Sequence, residues 1–119
     1  MRPTGGQGIR HTLYELVSTY FRQRGYQIEE DPLLEGNSGI PHKFHLLIKK
    51  GNQQHLVKVL DWKRTVGVNM VINMDRASAD VGFHNPIMTS EKFSGHAKAY
   101  ANRRGVKLLT KLEIIRGLG

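Results

Sequence analysis

The chain has 119 residues, 18 Lys and Arg against 10 Asp and Glu, 6 His and no Cys, for a formal net charge of +8 with His neutral. That length suits one domain, and 39% hydrophobic residues are enough for a small core and too many for a disordered basic tail. The lack of Cys excludes a disulfide scaffold, a Cys-based zinc finger, an iron–sulfur cluster and a thiol nucleophile, and it fits a reducing compartment.

Residues 1–8 are Gly-rich, lack the apolar stretch of a signal peptide and read as a flexible arm. No apolar run reaches the length of a membrane span. The expectation is a soluble cytoplasmic protein with one domain over 9–119. Ile9 to Arg24 carries Ile9, Leu13, Leu16, Val17, Tyr20 and Phe21 on one stripe, the spacing of an amphipathic helix closed by Gly25. Tyr26 to Glu30 reads as a strand stopped by Pro32, and Leu34 to Gly39 as a loop. Alternation predicts a second strand, with Phe44, Leu46 and Ile48 on a buried face opposite His45, Leu47 and Lys49. Lys50-Gly51-Asn52 makes a hairpin turn into a third strand, His55 to about Lys63. On that strand Val57, Val59, Asp61 and Lys63 share one face, and Leu56, Lys58, Leu60 and Trp62 the other.

Gly67 to Val81 reads as a helix buried through Val68, Val71 and Ile72, its stripe broken by Asp75 and Arg76. Pro86 to Thr89 is a short strand. Ser90 offers a helix N-cap, with Phe93, Ala97, Tyr100 and Ala101 inward and Gly105 as the stop. Val106 to Leu109 is a last strand and Leu112 to Arg116 a last short helix. Three closely spaced strands imply an antiparallel meander, and the helical crossover after them a parallel neighbour. The fold class is α/β (an α+β mixed sheet), ordered helix, three-strand meander, helix, strand, helix, strand.

Asp61-Trp62-Lys63 is the strongest chemical signal. A carboxylate and an ammonium two residues apart on a strand enter one space, where the first can hold a divalent cation and the second can stabilise a phosphorane or orient water. The same pair also makes a plain ion pair on a sheet face. Trp62, on the opposite face, belongs to the core.

The surroundings add to this. Gly36-Asn37-Ser38-Gly39 and the second strand precede Asp61, and Glu15 lies on the first helix. Val66-Gly67-Val68-Asn69 follows, then Thr89-Ser90, Phe93-Ser94 and Ala97, then Gly105-Val106-Lys107-Leu108-Leu109. From about residue 10 to the C-terminus this series resembles the Mrr-like branch of the restriction-endonuclease-like PD-(D/E)-x-K nucleases. The resemblance implies a restriction-endonuclease-like core and a Mg²⁺- or Mn²⁺-dependent endodeoxyribonuclease. Its catalytic residues would be Asp61, Lys63 and Glu15, with Asp61 and Glu15 also ligating the metal. The family's second-strand aspartate falls at His45, which exchanges an anionic oxygen for a neutral imidazole. Three readings follow. His45 ligates a softer ion such as Mn²⁺ beside Asp61; Glu30, Asp31 or Glu35 moves in as a substitute; or the site is dead and the fold serves as a binding module without a metal cofactor.

Among the cations, those at helix ends also serve helix dipoles. Lys43, Lys58, Lys63 and Arg64, on or beside the second and third strands, are the expected phosphate contacts on DNA. The alternative functions are an inactive nuclease-fold module for nucleic acid or a protein partner, and a structure-selective junction resolvase. Cutting both strands calls for a homodimer or a larger complex.

Overall fold

The computed structural model describes residues 12–119. The arm expected over 1–8, and residues 9–11 of the expected first helix, lie outside them. Among the described residues, the helix α1 (Leu13–Gln23) opens on the N-cap Thr12. The Thr12 hydroxyl accepts the Glu15 N–H at 3.1 Å, and the Glu15 carboxylate accepts the Thr12 N–H at 3.0 Å, a reciprocal capping box that periodicity alone does not reveal.

The strands are β1 (Gln27–Glu30), β2 (Leu33–Glu35), β3 (Pro41–Lys43), β4 (Leu46–Lys50), β5 (Gln53–Leu60), β6 (Ile87–Ser90) and β7 (Lys107–Thr110). The remaining helices are α2 (Val68–Asp80), α3 (Gly95–Arg104) and α4 (Lys111–Gly117). A five-stranded sheet runs β1-β4-β5-β6-β7, antiparallel through β5 and parallel from β5 to β7. The meander and the parallel crossover are as the sequence predicts. Helices cover both faces of the sheet. One face packs Leu46, Ile48, Val57, Val59 and Ile87 against Leu13, Val17 and Phe21 of α1 and Ile114 of α4. The other packs Leu47, Leu56, Leu60 and Met88 against α2 and α3 through Val71, Met74, Ala97 and Ala101.

Several boundaries differ from the reading by pattern. The segment read as loop folds into the small hairpin β2–β3, in which Leu34 pairs with His42 and Glu35 with Pro41. Three-residue strands are too short to show an alternation. Asp31, at φ 50°, turns the chain out of β1 into this hairpin, a left-handed conformation that Asp tolerates better than most residues. Phe44 precedes β4 and enters the α2–α3 core, while Leu46 and Ile48 enter the α1 core, so the three do not share a face. The third strand stops at Leu60, short of Lys63.

In α2 the inward residues are Val71, Met74, Asp75 and Ser78; Val68 and Ile72 are only half-buried. Asp75 does not break the stripe, because its carboxylate accepts from Tyr100 Oη at 2.8 Å and Arg104 Nε at 3.0 Å and so joins α2 to α3. Ser90 is not a cap: it ends β6, and its hydroxyl donates to the Leu60 carbonyl. Ser94 caps α3 instead, accepting from Ala97 N at 3.0 Å, and Gly105 closes that helix at φ 75°. Among the described residues no helix is long and apolar enough to cross a membrane.

Candidate nuclease-type site at the end of β5

At Leu60 the central strand runs out, and exposed Asp61 and half-buried Trp62 lead into an exposed bend at Lys63 and Arg64. Alternation still governs the first two residues. Asp61 follows Val59 toward α1, where its Oδ2 accepts the Leu13 N–H at 3.0 Å. Trp62 packs on the opposite core, with the Arg64 guanidinium 4.1 Å above its ring. The Leu13 amide is one of the donors that a helix start leaves without an internal partner, and a carboxylate there also meets the positive end of the helix dipole. Asp61 and Glu15 thus each accept from a backbone amide at the start of α1, Asp61 from Leu13 and Glu15 from the N-cap Thr12.

His45 lies beside the same end of β5. β4 begins at Leu46, opposite Val57, so the strand offers no backbone acceptor to the Val59 N–H. The His45 side chain replaces it, with Nδ1 accepting from Val59 N at 2.7 Å. An imidazole that accepts at Nδ1 is neutral and carries its proton on Nε2. Its surroundings agree. Burial pushes the His45 imidazole below its ordinary range, the Lys58 ammonium pushes the same way, and the Asp31 carboxylate opposes both.

Of the three carboxylates offered by sequence as substitutes, Asp31 comes nearest to His45, its N–H donating to the His45 carbonyl at 2.9 Å. Glu30 sits beside Tyr14, whose phenol is raised above its ordinary range by burial and then by Glu30 and Asp31. Glu35 stays on β2. Among the described residues, no group of three or more His, Cys, Asp and Glu is placed to hold a metal ion. The Asp61 oxygen and the His45 nitrogen just described are committed to backbone amides. The donor set present does not fit the hard dication that the resemblance implies.

The cations divide into two groups. Lys63 and Arg64 are exposed on the bend after β5. Lys43 and Lys58 flank the β3–β5 side, with Lys58 Nζ donating to the Lys43 carbonyl at 3.4 Å and standing 6.0 Å above the Phe44 ring. Sequence reasoning missed a cluster behind them. Asp80, in the last turn of α2, accepts from Ser38 N at 3.0 Å, Ser38 Oγ at 2.6 Å and His42 Nε2 at 2.8 Å, fastening the β2–β3 hairpin to the helix. An acid at a helix C-terminus opposes the dipole, and that was the signal available in the sequence.

A mixed sheet of this order between two helical layers, with an acidic residue and a lysine beyond its central strand, defines a restriction-endonuclease-like nuclease fold. The chain belongs to the Mrr_cat restriction endonuclease family, which matches residues 10–118. No curated protein matches it. Among solved structures it is similar to a protein of unknown function, AF1548, at TM-score 0.73 and 20% identity over 82% of this chain and 58% of that one. A repair endonuclease from Pyrococcus abyssi follows at TM-score 0.59 and 11% identity, covering 88% of this chain and 49% of that one. EndoMS, in a complex with double-stranded DNA, follows at TM-score 0.50 and 10% identity, covering 92% and 48%. The chain thus spans about half the length of these solved chains.

Proposed function

We propose that this chain is a DNA-binding member of its family with a hydrolytic site weakened at His45. The observation that carries this reading is the bond from Val59 N–H to His45 Nδ1. It turns the position where the resemblance implies a metal-binding aspartate into a structural acceptor. Binding runs through Lys43 and Lys58 on one side of β5 and Lys63 and Arg64 beyond its end, with phosphate contact releasing counterions. The repair endonuclease and the DNA-bound EndoMS among the structural neighbours support a DNA substrate class. The same reading places the protein in the cytoplasm and, where both strands are cut, in a homodimer or a larger complex.

A second reading, a Mg²⁺- or Mn²⁺-dependent endodeoxyribonuclease using Asp61, Lys63 and Glu15, is favoured by the bonds of Asp61 and Glu15 to successive backbone amides at one helix start. One set of assays separates the two: anisotropy of a labelled duplex, and plasmid nicking with either metal. The expected result is salt-sensitive binding, no nicking above that of Lys63→Ala, and cleavage gained by His45→Asp. Nicking by wild type that Lys63→Ala abolishes establishes the second reading. Absence of duplex binding at low salt overturns both.

A further inference from the structure

A cavity of about 700 Å³ opens on the face of the sheet opposite Asp61, between the β2–β3 hairpin and α2. The chain has four methionines; Met1 lies outside the described residues, and Met70, Met74 and Met88 all line this cavity. Met74 and Met88 are buried members of the α2–α3 core, and Met70 packs against it. Met70, half-buried, is the methionine that presents accessible surface to the cavity, and its unbranched, polarisable thioether adapts to a flat ring; Met74 and Met88, 3% and 0% exposed, lie beneath it. Three cations from three separate elements line the same space: Lys43 from β3, Lys58 from β5 and Arg76 from α2. The single carboxylate there, Asp80, is kept ionised by hydrogen bonds from Ser38 and His42 and offsets one of the three cations. Asn73 adds an amide able to donate and accept. The volume lies within the range of about 300–1,000 Å³ usual for small-ligand sites.

We infer that this cavity is a mononucleotide subsite, with a nucleobase against Met70 and its phosphate between Lys43, Lys58 and Arg76. Met70 without the cations would suit a neutral ring, and the cations without Met70 would suit bare phosphate; side by side they suit a molecule that joins the two. The nucleotide has two possible sources, free in solution or the phosphorylated end of a strand. The inference shares Lys43 and Lys58 with the DNA-binding reading and is independent of it at Arg76, Asn73 and the methionines.

The test is a titration of protein carrying ¹³C-methyl methionine, followed by NMR. The ligands are dAMP, deoxyadenosine with inorganic phosphate, a single strand with a 5′-phosphate, and that strand without it. The expected result is a saturable shift of the Met70 methyl with dAMP, larger than those of the buried Met74 and Met88 methyls, and a far weaker shift with nucleoside plus phosphate. A strand-end site responds to the 5′-phosphorylated strand at lower concentration than to dAMP; a free-nucleotide site does the reverse. Arg76→Gln, at an exposed helix position, weakens the dAMP response roughly tenfold, the loss expected for one charge-assisted hydrogen bond. No shift of the Met70 methyl, or a dAMP response that Arg76→Gln leaves unchanged, overturns the inference. Duplex anisotropy is measured in parallel: intact duplex binding with a silent Met70 methyl sinks the subsite alone, and a responsive Met70 methyl without duplex binding sinks the DNA-binding reading alone.

Discussion

Replacing His45 with alanine removes the only acceptor described for the Val59 amide. Val59 is 7% exposed, at the point where β4 has already left β5. A buried amide left without a partner costs about 1–3 kcal/mol. For a protein of this size, that lowers the melting temperature by about 5–15 °C. His45→Asn separates the hydrogen bond from the charge, since its amide oxygen accepts as Nδ1 does and never takes up a proton. The folded imidazole is held below its ordinary value near 6.5 by burial and Lys58, against Asp31. The unfolded chain therefore binds the proton more readily than the folded one. The stability that neutral His45 supports is complete above the unfolded value and erodes as pH falls from there toward the depressed folded value. Thermal melts from pH 8 to 5 should show wild type losing stability relative to His45→Asn as the solution is acidified. If the two curves fall in parallel, or if His45→Ala melts with wild type at neutral pH, the imidazole is not the acceptor that ends the β4–β5 ladder.

Other outcomes follow from the same geometry. Lys63→Gln with Arg64→Gln should reduce the dependence of log duplex affinity on log salt by about two, each phosphate contact contributing roughly 0.9, as read by anisotropy across a salt series. Gly36→Ala drives a new Cβ into the Asp80 carboxylate, which must turn away and give up its bonds to Ser38 and His42, or else the hairpin must lift from α2. The variant should melt earlier and exchange the Asn37 amide, now bonded to the Asp80 carbonyl, faster than wild type. Hydrogen bonds from the Ser38 hydroxyl, His42 and the Ser38 amide hold the Asp80 carboxyl below the usual carboxylate range. The hairpin attachment should thus persist through mild acid and loosen only as pH falls through that depressed value, which the same exchange measurement reads. Thr89 is fully buried, and its hydroxyl has no hydrogen-bond partner among the described residues, so Thr89→Val should raise stability by about 1 kcal/mol in calorimetry.

The sequence by itself determined the fold class and most of the element order. Helix α1, the β4–β5 hairpin, the parallel step to β6 and the Gly105 stop follow from local rules: periodicity, turn chemistry and capping. It also placed Trp62 opposite Asp61, because pleating fixes the alternation of side chains even just past a strand end. Local rules could not show where β5 ends, since that depends on the length of the strands beside it; nor could they show that Ser94 rather than Ser90 caps α3, because both are capping residues. They left the β2–β3 hairpin as loop, because it is held by Asp80, which is 42 residues from Ser38. Tertiary structure decided the candidate site. Asp61 meets Leu13 across 48 residues, and His45 meets Val59 where two strands part. Whether a carboxylate or an imidazole is open to a ligand or already bonded to a backbone amide is settled by what the rest of the chain brings beside it, and spacing along the sequence carries no record of that.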